Sequence, residues 1–353
     1  MVDSKICLVG DSTLDNLYWM LCGSNLEKAK QNSIEGLLRR RFKKERVEIV
    51  NYAYDGFTTH SLLHGDHIGS VLPFNPDYMN ERAPNGERHV SPLKNLQEKI
   101  SETPDVPHYI VLSIGGNDFR VNLANPLKLI RDIPKIQERY LQIVDQLKHL
   151  QGRDIRPILM LQYRTDANHD PYRVYTVMKV IGIAAVMIQL LCLAALAAPV
   201  LALLGKISGL TAGIIFACGA FASFSVQKVV PLSLTKELAR GKSISMLFKG
   251  KLIESFYQPI LEEAKLSQIP VLDLTNTFNP YQNLYEYGIE PGIEGGKLIA
   301  EGIHHIVKHH DFTGGSILYS KSDGRDTYTS SENKGPKEWH VTYPNSKSQT
   351  NMV

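Results

Sequence analysis

The sequence lacks the features that identify several common classes of protein. It has four cysteines in 353 residues, Cys7, Cys22, Cys192 and Cys218, too few and too scattered for a disulfide framework or a paired-cysteine metal site. Its 39 basic residues nearly balance 36 acidic ones, so charge gives no reason to expect nucleic acid as a partner. The first residues lack the basic and apolar segments of a cleavable signal peptide. We therefore expect reduced thiols, no cofactor and a domain that folds in a cytosol.

Charge is absent from one long segment. The 26 residues between Lys179 and Lys206, and the 21 residues between Lys206 and Lys228, contain no charged side chain. At about 1.5 Å per helical residue, either run can cross a hydrocarbon core of about 30 Å. This pattern predicts a transmembrane helical hairpin over 179–228 that enters and leaves the bilayer on one side. The alternative is an apolar hairpin buried in a soluble core.

Basic residues flank the base of this hairpin, and Lys206 lies at its tip. The flanking residues are Arg173, Lys179, Lys228, Lys236, Arg240, Lys242, Lys249 and Lys251. Positive charge on the cytosolic side fits the positive-inside rule, although Lys206 counts against it. The same cluster could bind anionic lipid headgroups, or it could be an ordinary solvated face.

Outside the hairpin, short apolar runs alternate with segments of helical periodicity. The runs that predict strands are KICLVG, RVEIVNYA, HYIVLSIG, RPILMLQY and IPVLDLT. Because such runs suit buried parallel strands, the alternation predicts a three-layer, flavodoxin-like α/β fold with a central parallel sheet. Ligands of open parallel sheets bind beyond the carboxyl ends of the strands, so the residues after each strand are the candidates for chemistry.

Three strand ends carry suitable groups. The first strand leads into GDSTLDN, where Ser12 offers a hydroxyl in a tight turn before a helix. The second leads into NYAYDGFTT, where the backbone of Gly56 can approach a ligand closely. The third leads into SIGGNDF, where Asn117 offers an amide. Each is an ordinary turn sequence alone. Together they place a serine, a glycine and an asparagine in that order along the chain, each after a predicted strand, which is a stronger signal.

The combination of GDS, the glycine and GGND resembles the SGNH (GDSL-type) hydrolase family, up to about Phe312 apart from the hairpin and its flanks. The resemblance implies that Ser12 is the nucleophile of an ester hydrolase or acyltransferase. It also implies an oxyanion hole formed by the Ser12 N–H, the Gly56 N–H and the Asn117 amide, donors aimed at the developing negative charge. The implied organisation is a hydrolase domain over 1–178 and 229–312, interrupted by the hairpin at 179–228 and followed by a polar extension over 313–353.

The sequence departs from this family in its last block. The family places an aspartate, two residues and a catalytic histidine there, but this chain has YEYGIEPGIEGG and no histidine. Four explanations stay open. Glu290 could be the base, with a pKa raised in a dry pocket. Asp166 and His169, in YRTDANHDPY after the fourth strand, could supply the missing pair. A third source would be the final helix, with His304, His305, His309 and His310. Finally, the base could be absent and the site a binding pocket.

Two metal interpretations are weaker. Asp118, Asp166, Asp170 and Glu290 could gather as oxygen ligands, but their spacing fits no known loop. His60, His64 and His67 lie along one helix face without an evident fourth ligand, so we interpret them as surface or pocket-rim residues. The sequence predicts no metal site.

The position of the hairpin in the chain indicates which substrate to expect. The hairpin follows the fourth strand, so it should leave the domain at the end of the sheet where Ser12 lies. We therefore expect a membrane-bound esterase or lipase, facing the cytosol, that acts on a lipid or other acyl ester. The alternative is an impaired enzyme that binds a lipid or protein partner at a membrane.

The polar tail after Thr313 is predicted to form one or two small strands, at SILYSKS and EWHVTYP. The layout also resembles secreted effectors of intracellular bacteria, which insert in a host membrane.

Overall fold

The computed structural model describes residues 2–69, 75–120, 126–163, 198–205, 208–217, 251–278, 283–321 and 340–342. Seven strands form its main sheet: β1 Ser4–Gly10, β2 Val47–Ala53, β5 His108–Ser113, β6 Ile155–Leu161, β7 Val271–Asp273, β10 Leu318–Ser320 and β11 His340–Thr342. Two short antiparallel hairpins lie outside it: β3 Asp66–His67 with β4 His89–Val90, and β8 Tyr285–Glu286 with β9 Glu290–Pro291.

Helices connect these strands. In chain order they are α1 Leu17–Leu21, α2 Leu26–Asn32, α3 Ile34–Arg41, α4 Thr59–His64, α5 Pro76–Arg82, α6 Pro92–Glu102, α7 Gly116–Arg120, α8 Pro126–Lys148, α9 Ala198–Leu203, α10 Lys251–Leu266, α11 Leu274–Thr277 and α12 Ile293–His309. The helical region that starts at Leu26 is broken at Ser33, which ends α2 in an extended conformation and then caps α3 by accepting a hydrogen bond from Gly36 N at 3.2 Å.

The sheet has the order β11-β10-β7-β6-β5-β1-β2. Every pairing is parallel except that of β10 with β11. The five predicted strands are therefore confirmed as β1, β2, β5, β6 and β7, in the doubly wound arrangement of a flavodoxin-like sheet. The chain winds outward from β1 in both directions, so the crevice of the switch point opens beside the carboxyl ends of β1, β2 and β5.

Both faces of the sheet are buried. Along β1, Cys7 and Val9 point to one apolar cluster, whereas Ile6 and Leu8 point to the other. The first cluster packs α4, α6, α8 and α10 against the sheet, and the second packs α3 and α12 against it. This two-sided burial explains why the strand sequences are nearly continuous apolar runs. It also gives the strand ends a rigid support.

The structure describes little of the predicted hairpin, but it includes strands of the polar tail. Most of 179–228 lies outside the described residues. Within it, α9 and a helical stretch over 209–217 are short, and no helix in the described part of the chain is long and apolar enough to cross a membrane. The hairpin stays a prediction. In the tail, both predicted strands are present, and β10 joins the main sheet beside β7.

Candidate active site

Ser12 lies in a tight turn at the carboxyl end of β1. Gly10 has a φ of +143°, and a Cβ added there would be 1.8 Å from the carbonyl oxygen of Ser113, so only glycine allows β1 and β5 to approach this closely. Asp11 closes the turn by accepting a hydrogen bond from Thr13 N at 3.1 Å. The serine is 6% exposed. The local sequence GDST therefore fixes the hydroxyl at the switch point of the sheet.

Gln162, at the end of β6, connects this turn to its neighbours. Its side-chain oxygen accepts a hydrogen bond from Thr13 Oγ1 at 2.9 Å, and its Nε2 donates to Asp11 Oδ2 at 3.1 Å and to Ser113 Oγ at 3.2 Å. Burial raises the pKa of Asp11 to about 7, although the hydrogen bond from Thr13 N opposes this shift. The turn that carries Ser12 is thus held by three parallel strands.

The second and third strand ends are tied together. Asn117 Nδ2 donates a hydrogen bond to the carbonyl oxygen of Phe57 at 3.0 Å, which leaves the second amide hydrogen available. Asp118 accepts from the backbone N–H and the hydroxyl of Thr59, both at 2.7 Å, and pairs with Arg139 at 3.2 Å. These bonds fix the Asn117 amide relative to the loop that contains Gly56, whose φ is +86°.

Backbone donors are available beside the serine. Within the described part of the chain, neither Ser12 N–H nor Gly56 N–H donates a hydrogen bond. Gly56 is half-buried, so solvent or a ligand oxygen can reach its N–H. Together with the free hydrogen of the Asn117 amide, these two N–H groups make a set of donors at the ends of three adjacent strands.

Glu290 enters the site from the turn that the sequence leaves without a histidine. In the β8–β9 hairpin, Glu286 pairs with Glu290, and the turn between them has Tyr287 and Gly288 at φ values of +50° and +77°. Asn16, which follows Ser12 by one helical turn, donates to the carbonyl oxygen of Pro291 at 3.3 Å and accepts from Ile34 N at 2.9 Å. The hairpin is therefore anchored to the chain segment that follows Ser12.

Glu290 is buried, with 3% of its surface exposed. Burial raises its pKa, while the Ser12 hydroxyl and the nearby Arg120 guanidinium both lower the pKa. Arg120 Nη1 lies 3.6 Å from Glu290 Oε1, and no described residue makes a hydrogen bond with Oε2. A buried carboxylate beside a serine hydroxyl, with a cation behind it, is an arrangement suited to accepting the serine proton.

A second buried network lies next to the turn that carries Ser12. Asp15 accepts a hydrogen bond from the Tyr78 hydroxyl at 2.7 Å and forms an ion pair with Arg82 at 3.3 Å. Its carboxylate also accepts from Asp55 N at 3.3 Å. Burial raises the pKa of Asp15, and the Arg82 charge is the strongest opposing influence on that pKa. This network fixes the Asp55–Gly56 turn on the end of β2.

Of the candidate proton acceptors, the structure describes Glu290 and the histidines of α12. The Ser12 hydroxyl is near enough to Glu290 to lower its pKa, although no hydrogen bond joins the two side chains, whereas Asp166, His169 and Asp170 lie outside the described residues and stay predictions. The histidines of α12 have other neighbours. His304 packs on Phe42 with ring centroids 4.9 Å apart, and His310 shares a hydrogen bond with the Tyr319 hydroxyl at 3.0 Å.

In the part of the chain that the structure describes, no group of three or more His, Cys, Asp or Glu side chains could hold a metal ion. Asp118 is bonded to Thr59 and Arg139, and the rings of His60 and His64 pack on each other with centroids 4.5 Å apart.

Sequence reasoning missed four residues of the site: Asn16, Asp55, Arg120 and Gln162. Asn16 and Asp55 stand inside the motifs GDSTLDN and YDG, so their position next to a candidate residue was a usable signal. Arg120 follows Asn117 by three positions in α7, which places both on one helix face. Gln162 gives no local signal, because only the sheet brings it to Asp11.

Comparisons with known proteins give limited help. No family model and no curated protein matches the chain. Among solved structures, a carbohydrate acetylesterase from Sinorhizobium meliloti is 10% identical, with a TM-score of 0.36 over 86% of this chain and 98% of that one. An aryl esterase from M. smegmatis is 13% identical, with a TM-score of 0.35 over 85% and 98%. An acetylxylan esterase from Geobacillus stearothermophilus is 12% identical, with a TM-score of 0.33 over 88% and 96%. At these identities and TM-scores the matches carry no argument about function, so the function has to be inferred from the geometry of the site.

Proposed function

We propose that the protein is a serine ester hydrolase in which Ser12 is the nucleophile and Glu290 takes the place of the usual catalytic histidine. The observation that carries this proposal is the buried Glu290 carboxyl group, whose hairpin is anchored to the segment after Ser12 by the hydrogen bond from Asn16 to Pro291, and whose pKa is raised by burial. A raised pKa makes a carboxylate a stronger base, and the ideal pKa of a catalytic base lies near the working pH. Arg120, behind Glu290, keeps the carboxylate ionised.

In the first half of the reaction, Ser12 Oγ attacks the carbonyl carbon of the ester while its proton passes to Glu290. The negative charge that develops on the carbonyl oxygen is bound by Ser12 N–H, Gly56 N–H and the Asn117 amide. Each such donor contributes about 3 kcal/mol to the stability of the transition state. The tetrahedral intermediate then breaks its bond to the alcohol oxygen, which leaves with the proton from Glu290.

In the second half, Glu290 takes a proton from water as the water oxygen attacks the acyl group on Ser12. Collapse of the second intermediate breaks the bond to Ser12 Oγ, which regains the proton from Glu290. An acceptor alcohol in place of water would make the same cycle an acyl transfer. Because carboxylates are weaker bases than imidazole, we expect modest turnover.

The substrate proposed is an acyl ester at a membrane, and the catalytic domain is proposed to face the cytosol. This extension is supported by the two charge-free runs of 179–228 and by their place in the chain after β6, whose following residue Gln162 contacts Asp11. Full-length protein should remain on phosphatidylcholine–phosphatidylglycerol vesicles after alkaline carbonate extraction. Complete release would show that the segment does not span the bilayer.

The catalytic proposal is tested with 4-nitrophenyl acetate and with phosphatidylcholine vesicles as probe substrates. Ser12→Ala should lower turnover by about 1,000-fold or more, whereas Ser24→Ala, a serine at the end of α1, should leave it unchanged. Equal turnover by wild type and Ser12→Ala would overturn the proposal. Absence of both turnover and Ser12 labelling by a fluorophosphonate would favour the second candidate, a protein that binds a lipid or protein partner without catalysis.

A further inference from the structure

The side-chain amide of Gln162 contacts the residues on both sides of Ser12. Its Oε1 accepts a hydrogen bond from Thr13 Oγ1 at 2.9 Å, and its Nε2 donates to Asp11 Oδ2 at 3.1 Å. Nε2 also donates to Ser113 Oγ, at the end of β5, at 3.2 Å. One planar group at the end of β6 therefore bridges the two chain neighbours of the candidate nucleophile.

The hydrogen bonds of this amide leave no N–H for a ligand. A side-chain amide has two N–H hydrogens and one oxygen. The hydrogens of Gln162 Nε2 are taken by the Asp11 carboxylate and the Ser113 hydroxyl, while the oxygen faces the Thr13 hydroxyl. Gln162 is therefore not a further oxyanion donor, and its effect on the reaction has to act through the turn that it holds.

The rest of Gln162 is fixed by other elements. Its backbone N–H donates to the Tyr257 hydroxyl of α10 at 2.7 Å, and its carbonyl oxygen accepts from Thr275 Oγ1 of α11 at 2.7 Å. A Cβ added to Gly116 would lie 3.3 Å from Gln162 Cδ, so the missing side chain at that position leaves space for the amide. Because the backbone groups and the side chain are bonded to different elements, the amide is held in one orientation.

We propose that Gln162 is a positioning residue, whose amide fixes Asp11 and Thr13 and thereby aims the Ser12 hydroxyl and N–H at the ester. The inference rests on the proposed function, since it takes Ser12 as the nucleophile. Ser12 lies between the two residues that the amide holds, so loss of the amide lets its hydroxyl and its N–H shift together. A misplacement of about 1 Å at a reacting group can lower a rate about 100-fold.

The first test removes the amide. Gln162→Leu keeps the approximate size of the side chain but none of its hydrogen bonds, so kcat for 4-nitrophenyl acetate should fall about 10- to 100-fold, with KM within about threefold of wild type. Gln137→Leu is the matched control, because Gln137 Nε2 donates to the carbonyl oxygens of Ser255 and Phe256 in α10 and not to the Ser12 turn. It should leave kcat unchanged. Equal kcat in wild type and Gln162→Leu would overturn the proposal.

A reciprocal exchange tests the polarity of the contact. At pH 8.5 Asp11 is mostly ionised, because burial raises its pKa only to about 7. Gln162→Glu still accepts from Thr13 but sets a second carboxyl group against Asp11, so kcat should fall at least as far as in Gln162→Leu. Adding Asp11→Asn restores a donor opposite an acceptor and should recover kcat at least tenfold. A double variant no better than Gln162→Glu alone would contradict the proposal.

Hydrogen exchange gives a readout that does not depend on catalysis. Asp11 accepts hydrogen bonds from three N–H groups of the turn, those of Thr13, Leu14 and Asp15. Because the amide holds Asp11, exchange in the peptide that contains this turn should be at least tenfold faster in Gln162→Leu than in wild type or Gln137→Leu. Unchanged exchange in Gln162→Leu would overturn the proposal at any level of turnover.

The two readouts also separate this inference from the proposed function. Equal turnover by wild type and Ser12→Ala would contradict the proposed function. Faster exchange in Gln162→Leu would still show that the amide holds the turn, whereas faster exchange together with an unchanged kcat would show that this support does not position Ser12 for catalysis.

Discussion

Asp15 and Asp55 are both buried aspartates at the ends of neighbouring strands, yet their surroundings are opposite. Asp15 has a hydroxyl, a backbone N–H and a guanidinium around its carboxylate, whereas Asp55 has no hydrogen-bond partner among the described residues. A buried carboxylate with partners can stay ionised, whereas burial without partners favours the neutral, protonated form of a carboxyl group. The comparison separates a paired carboxylate that supports the β2 turn from Asp55 and Glu290, which have buried oxygens that no described residue contacts by a hydrogen bond.

The largest effect is expected at Glu290. Glu290→Gln keeps the shape of the side chain but cannot accept the serine proton, so kcat should fall about 100- to 10,000-fold. Glu286→Gln is the matched control, because Glu286 is the cross-strand partner of Glu290 in the same hairpin. Kinetics with 4-nitrophenyl acetate measure both variants, and equal losses would show that the hairpin matters only as structure.

The contrast between the two aspartates is tested by stability. Asp15→Asn leaves the buried Arg82 guanidinium without its counter-charge and should lower the free energy of unfolding by about 3–5 kcal/mol. Asp55→Asn separates no ion pair and should change it by less than about 1 kcal/mol. Urea unfolding at pH 7 distinguishes the outcomes. A loss for Asp55→Asn equal to that for Asp15→Asn would mean that Asp55 is ionised and paired.

Asn16 links the β9 strand to the start of α3. Asn16→Ala leaves two buried backbone groups unpaired and should lower the free energy of unfolding by about 1–3 kcal/mol. It should also lower kcat, because the hairpin that carries Glu290 loses its anchor. Asn25→Ala, which removes the cap of α2, should cost about 1 kcal/mol and leave kcat unchanged. Similar kinetics for both variants would exclude a role for Asn16 in positioning Glu290.

The smallest effect is a shift in the pH profile. Glu290 must be ionised to act as a base, so activity should fall as the pH drops through its raised pKa. The Arg120 charge lowers that pKa. Arg120→Met should therefore move the acid limb of kcat to higher pH, whereas Arg120→Lys should keep it near the wild-type position. An unchanged acid limb in Arg120→Met would show that Arg120 does not stabilise the carboxylate.

The sequence was sufficient to predict the parts of this site that depend on local patterns. Apolar runs predicted β1, β2, β5, β6 and β7, and the order of a parallel sheet brings their carboxyl ends together. Ser12, Gly56 and Asn117 stand at those ends as predicted, although their roles remain proposals.

The contacts between distant segments could not be read from the sequence in the same way. Asn16 reaches Pro291 across 275 positions, and Gln162 reaches Asp11 across 151. Glu290 was one of four open explanations, because its value as a base depends on burial and on Arg120, which only the fold supplies. Asp55 is an ordinary turn residue in the sequence, and its missing partners are visible only in three dimensions.

The central claim is that Glu290 activates Ser12, and the pH dependence of Ser12 labelling by a fluorophosphonate tests it most directly. Mass spectrometry of the labelled peptide locates the modified residue. The account predicts labelling of wild type at Ser12, at a rate that rises with pH as Glu290 ionises, and labelling of Glu290→Gln about 100-fold more slowly or less. Equal rates in the two proteins across the pH range would contradict it.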